Sequence, residues 1–430
     1  MISRAEFLRI AGLVGAASAF GASAVDEDQI LAQSGSKSAK SPSRPPQRGK
    51  RPSTPAKPPS AGSRKPSATD QLPPLDLNLS GPISDLVEAS ALPGLSIAAI
   101  EDNHVTQAQA FGYADKAKSV KVTQDTLFQV ASLTKPTFAH LVLKLCESGQ
   151  LSLDIPLNDY YPKEISTDIR GQRITARDVL AHMSGLPLTH FPNWPEKLEF
   201  APGERFGYSG AAYLFLQEVV ENALSRPLDD VMEERILRPL GLRSSSYIWR
   251  NVYEEDVAHS YDAEGKVTPE RGRSRPKKAN AAGSLHTTAR GYAAFLIEAI
   301  LKGDQGKLAL DPVYRRMMLS PQIRLNSQLG WGLGWGIEVN GIGDRFWHWG
   351  DSRGFMAYAV GSVTERRGIV ILTNGTNGLR VCEQIARRTF GEEQAKVFAW
   401  IYRDFYGKYD VELPELPEAA RKLCLPPRTL

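Results

Sequence analysis

The run Thr126-Leu-Phe-Gln-Val-Ala-Ser132-Leu-Thr-Lys135-Pro-Thr-Phe-Ala-His-Leu-Val-Leu-Lys-Leu-Cys146 changes its periodicity halfway along. Thr126 to Ala131 is a short apolar stretch suited to an extended approach. From Phe138 the apolar residues fall as Phe138, Leu141, Val142 and Leu145, a helical stripe running on to Gly149. Between the two lies an S-x-x-K, Ser132 and Lys135, which places an ammonium on the same helical face as a hydroxyl. Spacing alone leaves two readings open, a nucleophile with its base or a serine capping a core helix.

Context separates this copy from two others. Ser34 to Lys37 lies in a Pro/Ser tract, and Ser274 to Lys277 lies in Arg271-Gly-Arg-Ser-Arg-Pro-Lys-Lys278, where charge and proline read as a solvated loop. Pro136 falls in the first turns of the expected helix, where it removes an amide donor.

The chain has 430 residues, 42% of them hydrophobic, enough for one large domain or two ordinary ones. Its charge is unevenly placed. Residues 1–75 hold 11 Lys/Arg and 5 Asp/Glu, a net of +6; residues 76–430 hold 41 bases and 43 acids, a net of −2. A near-neutral folded part has no clustered basic face, so a nucleic-acid partner is not expected.

Arg4 and Arg9, the apolar run Ile10–Phe20 and Ala22-Ser23-Ala24 together read as an export signal over residues 1–24. Ser3-Arg4-Ala5-Glu6-Phe7-Leu8 is twin-arginine-like with Ala5 in place of the second arginine. The apolar run is too short to span a bilayer core of ~30 Å. Residues 25–75 form a Pro/Ser-rich linker with nine basic residues from Lys37 to Lys65 and almost no large apolar side chain, which predicts disorder. Attraction of this linker to an anionic envelope surface and a plain solvated spacer are both compatible with it. A periplasmic or extracellular location follows from the signal.

Cys146, Cys382 and Cys424 are too few and too scattered for a disulfide framework or a zinc site. The chain contains no H-E-x-x-H, P-loop or G-x-G-x-x-G, so no metal and no cofactor is expected.

An S-x-x-K nucleophile needs a second polar group and backbone donors for an oxyanion. Phe206-Gly-Tyr208-Ser-Gly210 precedes an amphipathic segment from Ala211 to Leu224, placing Tyr208 on a turn at a helix start. Arg345-Phe-Trp-His348-Trp-Gly350 reads as a strand ending at a glycine, where backbone can approach a ligand closely.

In this order the motifs resemble the serine beta-lactamase-related family, which includes class C beta-lactamases, D-stereospecific peptidases and family VIII esterases. The resemblance covers roughly residues 80–380. It also rests on Pro93-Gly94, Asp125-Thr-Leu-Phe128, Ile174-Thr-Ala-Arg-Asp-Val-Leu-Ala-His182-Met-Ser-Gly-Leu-Pro187, Pro202-Gly203, Pro239-Leu-Gly241, Ala282-Gly283 and Gly330-Trp-Gly-Leu-Gly-Trp335. It implies an α+β fold of the beta-lactamase/transpeptidase type: an antiparallel sheet flanked by helices and built from both ends of the domain, with a mostly helical region inserted. The catalytic domain is expected over 76–410, with 411–430 as a C-terminal tail.

The resemblance further implies that Ser132 is the acylated serine, Lys135 its partner and Tyr208 the tyrosine of a Y-x-N motif. His348, Gly350 and Asp351 fall at the K-T-G strand in its H-x-G form and are expected at the substrate. A phenol beside Lys135 is expected to shift toward phenolate. The oxyanion would sit between the N–H groups of Ser132 and Asp351. Gly210 replaces the Y-x-N asparagine, which turns the expectation from lactams toward esters. The side chain of Asp351 brings a carboxylate beside the oxyanion site, for which the sequence offers no explanation.

Gly350-Asp-Ser352-Arg-Gly354 also matches G-x-S-x-G. That nucleophile elbow needs a histidine later in the chain, and His348 is the last one. The resulting expectation is an exported serine hydrolase acting on a small-molecule ester or peptide, with acyl transfer to an amine open to the same mechanism. The alternative is a catalytically weak penicillin-binding-like sensor or binding protein.

Overall fold

The computed structural model describes residues 80–189, 194–268, 275–339, 345–352, 354–391 and 393–424. The export signal, the linker, Ser34 and Ser274 lie outside the described residues.

Among the described residues eleven strands follow one another as β1 (Gly94–Glu101), β2 (His104–Asp115), β3 (Val120–Lys121), β4 (Phe128–Gln129), β5 (His286–Thr287), β6 (Ile323–Arg324), β7 (Leu329–Trp331), β8 (Gly336–Glu338), β9 (Arg345–Ser352), β10 (Phe355–Ser362) and β11 (Arg367–Thr373). Nine form one sheet in the order β3-β2-β1-β11-β10-β9-β8-β7-β6, and every pairing in it is antiparallel. β1 lies against β11, so the two ends of the domain close the sheet between them. Residues 122–322 are inserted between β3 and β6, and the regular structure of their described part is helix apart from β4 and β5.

The central strands read as unbroken apolar runs because both faces of the sheet are covered. In β11, Ile369 and Ile371 pack into one core while Val370 and Leu372 pack into the other. β10 divides the same way, with Met356, Tyr358 and Val360 on one side and Phe355, Ala357 and Ala359 on the other. The inserted helical region covers the face of Val370, Leu372, Ala357 and Ala359, the first of the two. Helices α1 (Ser80–Ala89), α6 (Gly378–Phe390), α7 (Gln394–Trp400, continued as a wider turn through Tyr406) and α8 (Glu418–Leu423) belong to the second. Residues beyond 410, expected as a tail, enter this core through Val411, Leu416 and Ala420.

Four helices of the first layer bear on the site. These are α2 (Thr134–Glu147), α3 (Ala176–Leu180), α4 (Gly210–Leu224) and α5 (Ala289–Leu296). α2 is buried nearly all round: Phe138, Leu141, Val142 and Leu145 are inaccessible, and so are Ala139 and Leu143. Pro136 lies in its first turn, where the missing N–H has no intrahelical acceptor to lose. No described helix is long and apolar enough to cross a membrane.

Candidate active site

The turn before α2 presents Ser132. Val130 donates to the Leu285 carbonyl, Ala131 turns the chain with φ +48°, and Ala131–Leu133 make one 3₁₀ turn into the helix. A non-glycine residue at positive φ persists only where its surroundings hold it. They do so here: Thr134 Oγ1 donates to the Ala131 carbonyl at 2.6 Å and accepts from the Leu285 N–H at 3.1 Å, and Tyr292 Oη donates to the Leu133 carbonyl at 2.8 Å.

One turn on, Lys135 Nζ lies 3.0 Å from Ser132 Oγ and 2.8 Å from the Ala282 carbonyl. Its side chain is buried, with no carboxylate in ion-pair contact among the described residues. Burial alone pulls the ammonium down to about 7. Ala282 thus gains a role that its place in the sequence, in the pair Ala282-Gly283, did not suggest.

Tyr208 is set by a cap. Ser209 Oγ accepts from the Ala212 N–H at 2.9 Å and donates to the Pro187 carbonyl at 2.6 Å, starting α4. Its phenol is buried, and the hydroxyl has Ser132 as a hydrogen-bonding neighbour without a well-formed bond to it. The expected drift toward phenolate is reversed. Burial raises the Tyr208 hydroxyl well above the usual tyrosine range, outweighing the opposing pull of Ser132. Lys135 sits over the ring face, 5.0 Å from its centroid, but being only about half charged near neutrality it offers the phenolate limited support.

β9 brings the third side. β8 pairs only with Arg345–Trp347, so the edge of β9 from His348 onward is open toward Ser132. Gly350 is required there: a Cβ on it would stand 2.3 Å from the Val130 carbonyl oxygen and 3.2 Å from the Ser132 nitrogen. This close approach brings the backbone of residues 350–351 against the Ser132 amide.

Ser132, Lys135, Tyr208, Gly210, Trp349 and Asp351 line one cleft, with Leu188, Thr189, Phe405 and Tyr406 among the other walls. His348, expected at the substrate, does not reach it. The ring is fully buried, its Nδ1 bonds the Trp349 carbonyl at 2.7 Å, and burial brings it down to about 3, so it is a neutral imidazole behind Lys135. Asp351 does reach the cleft. Its Oδ2 accepts from Tyr406 Oη at 2.8 Å, and burial pushes the carboxyl up to about 6 against that bond.

Sequence reasoning left His182 without a role. The capping box of α3 aligns the loop that carries it: Thr175 Oγ1 accepts from the Asp178 N–H, and Asp178 Oδ2 accepts from the Thr175 N–H. The His182 ring stacks on Tyr208 at 4.1 Å, its Nδ1 accepts from the Ser209 N–H at 3.1 Å, and its carbonyl accepts from the Gly207 N–H at 2.8 Å. Three contacts therefore clamp residues 207–209. Trp194 packs on Phe215 and donates to Glu218, away from the cleft lining. Ser352 closes a β9–β10 hairpin, not the strand-to-helix turn of a nucleophile elbow.

A family model described as Beta-lactamase matches residues 81–389. A putative D-alanyl-D-alanine carboxypeptidase of Salmonella schwarzengrund is 29% identical over 203 residues, which are 39% of this chain and 46% of that one. A Staphylococcus aureus protein called flp is 23% identical over 307 residues, 66% of this chain and 60% of its own length. The chain thus spans about half the length of such relatives. Among solved structures, an octameric penicillin-binding protein homologue from Pyrococcus abyssi superposes with a TM-score of 0.64 at 24% identity, covering 77% of this chain and 81% of that one. A beta-lactamase/D-alanine carboxypeptidase from Pseudomonas syringae gives 0.63 at 20% identity over 74% and 99% of the two chains.

Proposed function

The chain belongs to the beta-lactamase family, and on that footing we propose that it is an exported serine hydrolase which forms an acyl-enzyme on Ser132 and cleaves carboxylic esters or D-amino-acid amides. The observation that carries this reading is the 3.0 Å contact between Ser132 Oγ and a buried Lys135 held near 7.

An uncharged Lys135 accepts the Ser132 proton as Oγ attacks the acyl carbon, with the negative charge moving to the acyl oxygen. That oxygen lies between the N–H groups of Ser132 and Asp351; one such donor is typically worth ~10²- to 10³-fold in rate. Collapse breaks the bond to the leaving group, which takes the proton from Lys135 by way of the neutral Tyr208 hydroxyl. Water then attacks the ester carbon and gives its proton to the same lysine, and Ser132 recovers a proton as the acid departs. Tyr208 serves as a relay here, because burial keeps its proton in place.

Esters are favoured over lactams by Gly210. It opens α4 at the cleft with no side chain to receive a substrate amide, and its N–H is already given to the Leu188 carbonyl at 2.7 Å. Export rests on the N-terminal sequence alone.

The test is turnover of p-nitrophenyl acetate and butyrate by the wild type, Ser132→Ala and Ser352→Ala. Loss of hydrolysis in the first variant only is the expected result. Loss in Ser352→Ala with retention in Ser132→Ala, or no hydrolysis by the wild type, would overturn the assignment, the latter in favour of a binding protein.

A further inference from the structure

Asp351 has no part in the cycle above beyond its backbone N–H, yet its carboxylate is built into the cleft. Tyr406, at the far end of the second helical layer, fixes Oδ2 at 2.8 Å. The residue is largely but not fully buried, and it borders the open space of the cleft. It follows Gly350, whose backbone abuts the Ser132 amide, so this carboxylate stands within one residue of the acyl site.

Charge in the rest of the wall is lopsided. Among the described residues that line the cleft, Lys135 and Asp351 are the only Lys, Arg, His, Asp or Glu side chains. Lys135 is buried and already committed to Ser132 and Ala282, which leaves no free cation for a substrate carboxylate among the described residues of the cleft. The remaining wall around Asp351 is aromatic: Trp349 against Phe405 at 4.8 Å, and Phe405 against Tyr406 at 5.1 Å. Aromatic faces with one carboxylate suit an ammonium group, and the same carboxylate repels an anionic one.

We propose that Asp351 sets the charge class of the substrate: the cleft accepts acyl groups that are neutral or carry an ammonium, and it discriminates against those that carry a free carboxylate. The proposal rests on the hydrolase reading above.

The test uses three p-nitrophenyl esters of similar size at pH 8: 4-(trimethylammonio)butanoate, 5,5-dimethylhexanoate and the monoester of glutarate. The reading is the ratio of kcat/KM values within each protein, so a general change in activity cancels. In the wild type the cationic ester is expected to exceed the neutral one by about tenfold, and the anionic ester to fall below it by about tenfold, the scale of one partly screened charge pair. Asp351→Asn and Asp351→Ser should each bring both ratios close to one. Equal ratios in the wild type, a preference for the glutarate ester, or ratios unchanged in both variants would overturn the proposal while leaving the hydrolase reading intact. Failure of all three esters in a wild type that a fluorophosphonate does not label would remove both.

Discussion

Burying Lys135 with no carboxylate in ion-pair contact among the described residues separates its folded value, about 7, from the ordinary lysine value of 10.5. Below pH 7 the native state holds a charged ammonium in its interior, and above pH 7 it holds the free base. Acylation should therefore rise about tenfold per pH unit below 7 and level off above it, measured as kcat/KM on a neutral ester. Stability follows with the opposite cause. Between pH 7 and 10.5 the unfolded chain binds more protons at this lysine than the native one, so stability grows with pH across that window. Lys135→Met should be inactive yet melt higher than the wild type at pH 6, with the margin shrinking by pH 10; an equal margin at both would show that the lysine is not buried as a base. Gly350 makes a second claim at this scale. Gly350→Ala sets a methyl against the Val130 carbonyl, and should lower kcat at least ~10²-fold through displacement of Ser132 while costing about 1–3 kcal/mol on unfolding. Near-normal kcat would mean that β9 does not position the nucleophile.

Elements bring together what local sequence keeps apart. The change of period at Ser132, the Ser209 turn before α4 and the aromatic strand ending at Gly350 were legible because each is a local pattern. The state of Tyr208 was not, because its direction depends on burial by His182, Trp349 and Phe405, none of which is near it in the chain. His348 misled for a similar reason: Trp347 and Trp349 mark it as packed, and only the full burial of its ring shows that it does not open onto the cleft. The Asp351–Tyr406 contact spans 55 residues, and no motif announces it. His182 was quoted as part of a signature, and the loop after α3 supplies its work as a positioning residue for Tyr208. His182→Ala should lower kcat ten- to a hundredfold with KM nearly unchanged and the pH midpoint still near 7. His182→Asn, which keeps an acceptor for the Ser209 N–H, should recover part of the loss. A change confined to KM, or no difference between the two variants, would make His182 merely structural.

Across the whole molecule, the sheet joins residues from both ends of the domain, and the helices of its second face end at the cleft. Phe405 and Tyr406 line the site, while Val411, Leu416 and Ala420, a few residues on, are buried in the same core. Deleting residues 411–430 should thus reach the site indirectly. A loss on the order of 3 kcal/mol in stability is expected from the apolar side chains uncovered, together with a fall in kcat as Tyr406 loosens. Full stability and activity after the deletion would show that this segment is the separate tail expected from sequence. The basic linker poses an independent question. Retention on isolated envelopes should drop when residues 34–74 are removed if the linker contacts an anionic surface, and equal retention would reduce it to a spacer.

Every step proposed here passes through a covalent bond to one oxygen. The full chain incubated with a fluorophosphonate, digested and mapped by mass spectrometry, should carry the adduct on the peptide containing Ser132. Labelling should fall away as pH drops below 7 and vanish in Lys135→Met. An adduct on Ser352 or elsewhere, or labelling that persists without Lys135, would contradict the Ser132–Lys135 assignment.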